Sequence, residues 1–462
     1  MQAEMYSLTA LGASAMALTL LPRGHNKASL LIGEIAFAMS ALLWTASWYP
    51  FELPMISVRS TYGLYEDELS YIVSMAAAFV GAMVLPLFFR RGGGNSWQFA
   101  STVLLGVAAT SVLASTTNPY LILASWGLVS LASYSMVALS GDRDSLIGSI
   151  KYAFMSALSF QFLIIGVYMA MFAPAGSKIE ALGVLLFLLA LGFKAGIPPF
   201  HMWLPDVYGF SDPVPVSMLS STMKLGAFAL GIRLLYEVMP TLPTQLGYSI
   251  VTVLVVLSVA GMVLGNLAAL TQTDVQRMMA YSSIAHVGYM TMALSVLAAS
   301  AVYKVPQAGY FALLGLLVYF VSYALSKASV FSFISDVRGQ GRAILSRFEG
   351  LGDTSRESSA SVSIILLNLI GMPPLLGFWG KFFVFLSAAN PSISIFYAVG
   401  IPWFALVGII NSAISVFYYL KVIRAIYRKS AVAASSKALG LPLASSVLLV
   451  VLGVLIPLLI SL

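Results

Sequence analysis

Cysteine is absent from all 462 residues, and charge is scarce: Asp, Glu, Lys and Arg together make up 9% of the chain. Without thiols there is no disulfide, no thiolate zinc site, no Cys-ligated iron–sulfur cluster and no thiol nucleophile. The 3 histidines lie far apart and show no ligand spacing, so no metal site is expected. No phosphate loop, nucleophile elbow or dinucleotide fingerprint occurs, and Gly92-Gly93-Gly94 merely follows Arg90-Arg91 in a turn. A soluble domain carries about 25% charged residues. This chain is 60% hydrophobic with a mean hydropathy of +0.93, and it lacks the polar surface that water demands. It belongs in lipid.

What is present is a succession of apolar runs. A spanning helix needs about 20 mostly apolar residues, and about fourteen such stretches can be traced, from Tyr6–Leu21 to Leu439–Ile460. Only Glu4, and no basic residue, precedes the first run, so a cleaved signal peptide is not expected. Most of the 24 Lys and Arg fall in alternate loops. By the positive-inside rule those loops face the cytoplasm of a cell (plasma) membrane, and both termini face outward. The formal charge of +7 therefore reflects topology and does not imply nucleic acid. No linker interrupts the runs, so 1–462 reads as a single polytopic membrane domain.

Gly196-Ile197-Pro198-Pro199 recurs as Gly371-Met372-Pro373-Pro374, an offset of 175. Lys151, Ser156 and Ser159 recur as Lys327, Ser332 and Ser335, an offset of 176. The partners fall five spans apart, and an odd shift inverts a repeat relative to the membrane. The expected fold is all-α, with inverted five-helix repeats over about 97–237 and 247–428, flanked by spans one to three and fourteen. Proline removes a backbone donor, so each Gly-x-Pro-Pro breaks its helix, the seventh (Leu182–Ile197) and the twelfth (Ala360–Leu386). A break at membrane depth survives only against protein or a water-filled cavity, which is where ion paths are built.

Four basic residues lie at membrane depth: Lys194, Lys224, Lys327 and Lys381. Each costs about 2.5–3.5 kcal/mol at a helix centre, so retention points to function, here a proton relay. His286, in the tenth span, suits such a relay and equally suits a hydrogen-bonded core position. Lys151, His201 beside a Pro-rich turn, and Glu34 in the second span are accessory candidates; Glu34 is a conceivable partner for one lysine. Asp206 and Asp212 either attract protons or cap the next helix. Tyr281, Ser283, Tyr323, Tyr418 and Tyr419 suit water-carrying or interhelical hydrogen bonds.

The stretch Gly192-Phe193-Lys194-Ala195-Gly196-Ile197-Pro198-Pro199-Phe200-His201-Met202-Trp203-Leu204-Pro205-Asp206-Val207-Tyr208 resembles the antiporter-like subunits of respiratory complex I, relatives of Mrp-type antiporter subunits. So do Thr271-Gln272-Thr273-Asp274-Val275-Gln276-Arg277 running into Tyr281-Ser282-Ser283 and His286, and Gly377-Phe378-Trp379-Gly380-Lys381-Phe382. The resemblance implies that Lys194, Lys224 and Lys381 correspond to the lysines of helices seven, eight and twelve. Lysine at the last position favours the subunit N type, whereas Leu325-Ser326-Lys327-Ala328 looks more like the L and M types. It also implies that redox chemistry resides in other membrane-arm subunits and that this chain binds no cofactor. One departure is plain: a Trp-Glu-Leu context on helix five reads Trp126-Gly127-Leu128 here, so the family's carboxylate partner for Lys194 is missing. Either Glu34 or a neighbouring subunit's carboxylate replaces it, or this subunit couples differently, or it no longer pumps. Three functions follow in order: an ion-translocating subunit of a complex I-like oxidoreductase, a sodium/proton antiporter subunit, or a non-pumping spacer of the membrane arm.

Overall fold

The computed structural model describes residues 11, 14, 26–46, 60–61, 64–90, 96–339, 341–429 and 440–460. The expected first span, Tyr6–Leu21, lies outside these residues apart from Leu11 and Ser14, as does the Gly92-Gly93-Gly94 turn. The architecture is all-α with one two-stranded hairpin, β1 Ser60–Thr61 and β2 Leu64–Tyr65. Helices run α1 Asn26–Ala46, α2 Glu68–Arg90, α3 Ser96–Ser115, α4 Pro119–Ala138, α5 Arg143–Phe172 and α6 Lys178–Ala195. Next come α7 Trp203–Phe210, α8 Pro213–Ser221, α9 Met223–Val238, α10 Thr244–Thr271, α11 Val275–Val302 and α12 Pro306–Arg338. The last are α13 Leu351–Thr354, α14 Arg356–Ile370, α15 Leu376–Ala388, α16 Trp403–Tyr427 and α17 Gly440–Ile460.

Among the described residues 10 helices, counting α8–α9 as one, are long and apolar enough to cross a membrane. The chain is a multi-pass membrane protein. Short polar side chains start its helices by accepting from free backbone N–H groups: Asn118 for α4, Asp142 for α5, Ser177 for α6, Asp212 for α8 and Asp274 for α11. Helices α8, α9 and α12 form the centre, with α12 packed on α8, α11 and α15. Helices α5 and α16 turn long apolar faces outward.

Both Gly-x-Pro-Pro segments interrupt helices. Helix α6 stops at Gly196 (φ 79°) and α14 at Gly371 (φ 91°), the left-handed conformation that glycine adopts without steric cost. In each break the following Pro–Pro bond is cis. Between the first break and α8 the chain forms helix α7, which no apolar run of spanning length marks in the sequence. Trp203, Leu204, Val207 and Tyr208 bury an apolar face, and the Trp203 indole donates to the Phe193 carbonyl at 3.0 Å. Arg233, on α9, is buried. Its guanidinium forms a two-pronged pair with Asp67 at 2.8 and 2.9 Å, with side chains 2% and 0% exposed.

The C-terminal helix closes the second break. At Gly453 of α17 an added Cβ would lie 2.2 Å from the Pro374 carbonyl oxygen, so the backbones touch. The Trp379 indole donates to the Gly453 carbonyl at 2.9 Å. The first break is held from another direction. Gln276 of α11 and Arg338 of α12 donate to the carbonyls of Tyr208, Phe210 and Ser211 at the end of α7.

Candidate functional site: a buried line of lysines

All four membrane-depth lysines are buried, and none hydrogen-bonds to a carboxylate among the described residues. Lys194, on the last turn of α6, donates to Ser130 Oγ of α4 at 2.7 Å and stands over the rings of Trp126 and Tyr152. Lys224, at the start of α9, has no hydrogen-bond partner among the described residues, and its ammonium sits 4.9 Å from the Tyr208 ring centroid. Aromatic faces stabilise a cation electrostatically, and they leave the proton free to go elsewhere.

From Lys327 the polar groups become continuous. Its ammonium donates to the Met279 carbonyl at 3.0 Å and to Ser282 Oγ at 2.7 Å. Ser282 bonds to the Tyr419 hydroxyl, which lies 3.0 Å from His286 Nε2. His286 Nδ1 lies 2.5 Å from the Tyr319 hydroxyl. Helices α11, α12 and α16 each contribute, because Ser282 and His286 are one turn apart on α11 while Tyr319, Tyr323 and Lys327 share a face of α12. Beside this line Tyr418 donates to Asn266, whose amide reaches both Tyr289 and Asn411.

Lys381 lies beyond this hydrogen-bonded run and makes no bond to it among the described residues. Its ammonium donates to the last carbonyls of α14, Leu369 at 2.9 Å and Ile370 at 2.8 Å, and to Ser412 Oγ at 2.9 Å. A helix C-terminus carries orphan carbonyls and partial negative charge, so the ammonium takes the place of a capping group. The Tyr289 ring lies 5.0 Å away. Lys381, Gly371 and Ser412 form the polar end of a mostly apolar cavity of about 520 Å³ between α15 and α16.

The accessory candidates sit apart from the line. Lys151 and Asp206 form a half-exposed ion pair at 2.7 Å, beside Asp144 and Arg342 at a surface pocket. Asp212 caps α8. His201 lies in the first break, its Nδ1 buried without a partner among the described residues. Glu34 does not take the missing carboxylate's place: among the described residues its Oε1 has no partner and it bonds none of the lysines. Its helix α1 packs on α2 and α3, with Gly33 against Leu85 and Phe37 against Gly81. At Gly127 an added Cβ would meet only Phe160, at 3.8 Å. Ser130, Ser412, Asn266, Tyr289 and Tyr319 were not singled out from sequence, although Tyr319 stands two turns before Lys327 on the same face.

The family described as NADH:quinone oxidoreductase/Mrp antiporter, TM, matches residues 116–415. NADH-quinone oxidoreductase subunit N of Dehalococcoides mccartyi is 33% identical over 73% of this chain and 71% of its own. NADH-quinone oxidoreductase subunit 14 of Thermus thermophilus is 31% identical over 92% of this chain and 90% of its own. A chain of Thermus thermophilus respiratory complex I with bound aureothin superposes with a TM-score of 0.79 at 27% identity, covering 98% of both chains. A chain of the Mrp complex of a Dietzia species shares the fold, with a TM-score of 0.80 at 18% identity over 99% of this chain and 96% of that one.

Proposed function

The chain belongs to the NADH:quinone oxidoreductase/Mrp antiporter family of membrane proteins, and from that premise we propose that it is a proton-translocating membrane-arm subunit of a complex I-like respiratory oxidoreductase. Electrons move in partner subunits, and this chain holds the ion path. The observation that carries the reading is the buried hydrogen-bonded run from Lys327 through Ser282 and Tyr419 to His286, with buried Lys224 and Lys381 outside it and no hydrogen-bonded acid in it among the described residues. Hydroxyl and imidazole groups both donate and accept, so protons can pass along them. In a low-dielectric interior, charge on one ammonium opposes charge on the next. A proton delivered at one lysine thereby expels one from its neighbour. Carrying one charge against 100 mV takes about 2.3 kcal/mol, a scale that a single buried-charge repulsion reaches.

The same reading assigns Lys194, Lys224, Lys327, Lys381 and His286 to translocation, with Lys151 and His201 on the approach from the cytoplasm. It places about fourteen spans in the cell membrane with both termini outside, as inverted halves near 97–237 and 247–428 within one domain. The matched breaks after Gly196 and Gly371 support the repeat.

Lys224→Ala tests the reading in vesicles carrying the assembled complex. The expected result is loss of redox-driven proton uptake while the complex still assembles. Full pumping by the variant would leave the chain as a spacer of the membrane arm.

A further inference from the structure

The outward face of α4 and α5 carries two irregularities at one depth. Gln161 of α5 is exposed, and it has no hydrogen-bond partner among the described residues. By contrast Ser249 and Thr252, exposed on α10, satisfy themselves on the Gln245 and Tyr248 carbonyls of their own helix. An amide facing hydrocarbon with no partner is costly, so a bare Gln161 is a poor match to lipid. Gly127 of α4 is the second irregularity. It opens a notch between exposed Ala124 and Leu128, beside the ring of Phe160.

Three contacts place both features level with Lys194. Ser159 of α5 donates to the Ala190 carbonyl one turn before Lys194; Phe160 meets Gly127; and Ser130, one turn beyond Gly127, accepts from the Lys194 ammonium. Lys194 is thus a buried cation with a hydroxyl and two aromatic rings around it and no anion among the described residues. A buried charge needs a counter-charge or a strong field of dipoles, and one serine hydroxyl is a weak substitute.

We propose that the α4–α5 face at Gly127 and Gln161 docks a transmembrane helix of a partner subunit that carries a carboxyl group at this depth. The Gln161 amide nitrogen offers a donor to that group in its carboxylate form, and the Gly127 notch admits its side chain toward Ser130 and Lys194. Ala124, Leu128 and Leu131 on α4, with Phe154 on α5, supply the apolar remainder of the face. The assignment rests on the subunit reading above for the existence of partners, but not on pumping.

The chain has no cysteine, so single-cysteine variants report cleanly. Gln161→Cys and Leu131→Cys are compared with Val256→Cys and Leu267→Cys, whose positions are exposed on α10. In native membranes the first pair is expected to be protected from a lipid-soluble maleimide and to cross-link with a bifunctional maleimide. Protection is expected to be lost when detergent separates the complex. The cross-linked partner peptide is expected to be an apolar segment with an Asp or Glu within a turn of the link. Labelling of Gln161→Cys equal to that of Val256→Cys overturns the proposal, and so does a cross-linked helix with no acid. Neither outcome touches the proton-path reading, which the Lys224→Ala variant tests separately.

Discussion

Among the described residues Ser282 is the one hydroxyl that joins the Lys327 ammonium to Tyr419 and so to His286. Removing it leaves Lys327, which is fully buried, with the Met279 carbonyl as its one hydrogen-bond partner among the described residues. A hydrogen bond to a charged group contributes roughly 1.5–3 kcal/mol. Ser282→Ala is therefore expected to lower thermal stability in detergent by that order and to uncouple proton uptake from electron transfer. Unchanged proton uptake per electron in vesicles would show that protons bypass Ser282. At this scale the sequence was informative about charge and silent about company. A lysine in an apolar run is conspicuous because its cost is large, whereas a serine or tyrosine is ordinary in a membrane helix. Ser130 and Ser412 acquire meaning only when another helix brings an ammonium to them. Gly127 is the converse case, an absence conspicuous only beside a family pattern.

Helix breaks follow from local chemistry, and both were legible from Gly-x-Pro-Pro. Helix α7 was not, because Pro198, Pro199 and Pro205 crowd the stretch and its apolar face is only two turns long. Its stability comes from elsewhere, through the Trp203 indole and the donors Gln276 and Arg338. The second break depends on a different support, the backbone contact at Gly453. Gly453→Leu would drive side-chain carbons into the Pro374 carbonyl and the Leu376 amide nitrogen, 2.2 and 2.6 Å from the first added atom. Overpacking of this kind costs typically about 1–3 kcal/mol. The expected outcome is protease sensitivity in the 371–375 segment with the rest of the chain intact. Limited proteolysis of the purified complex measures it, and a wild-type digestion pattern would show that α17 is not what closes the break.

Across the whole molecule, donors from α11 and α12 terminate the earlier helix α7, and the buried Lys and Arg among the described residues take two forms, the lysines without a carboxylate and one ion pair. That pair, Arg233 with Asp67, ties α9 to the start of α2, where Asp67 also accepts from the Ser70 amide. Arg233→Ala strands a carboxylate in the interior and is expected to cost about 3–5 kcal/mol, whereas removing both charges together with apolar residues recovers much of it. Complex yield and melting temperature of the single and double variants decide this. A double variant no better than the single would mean that Arg233 acts through the Ala114 carbonyl it also binds at 2.6 Å. The clasp between Gly453 and the Pro374 segment has a further consequence, in time. A ribosome delivers α14 and α15 before α17, so the broken segment waits in the bilayer, its carbonyls uncovered, until the final helix arrives. A nascent chain stalled before Gly440 would present the quality-control proteases of the membrane with an unfinished seam, and its lifetime would report how long that seam can stay open.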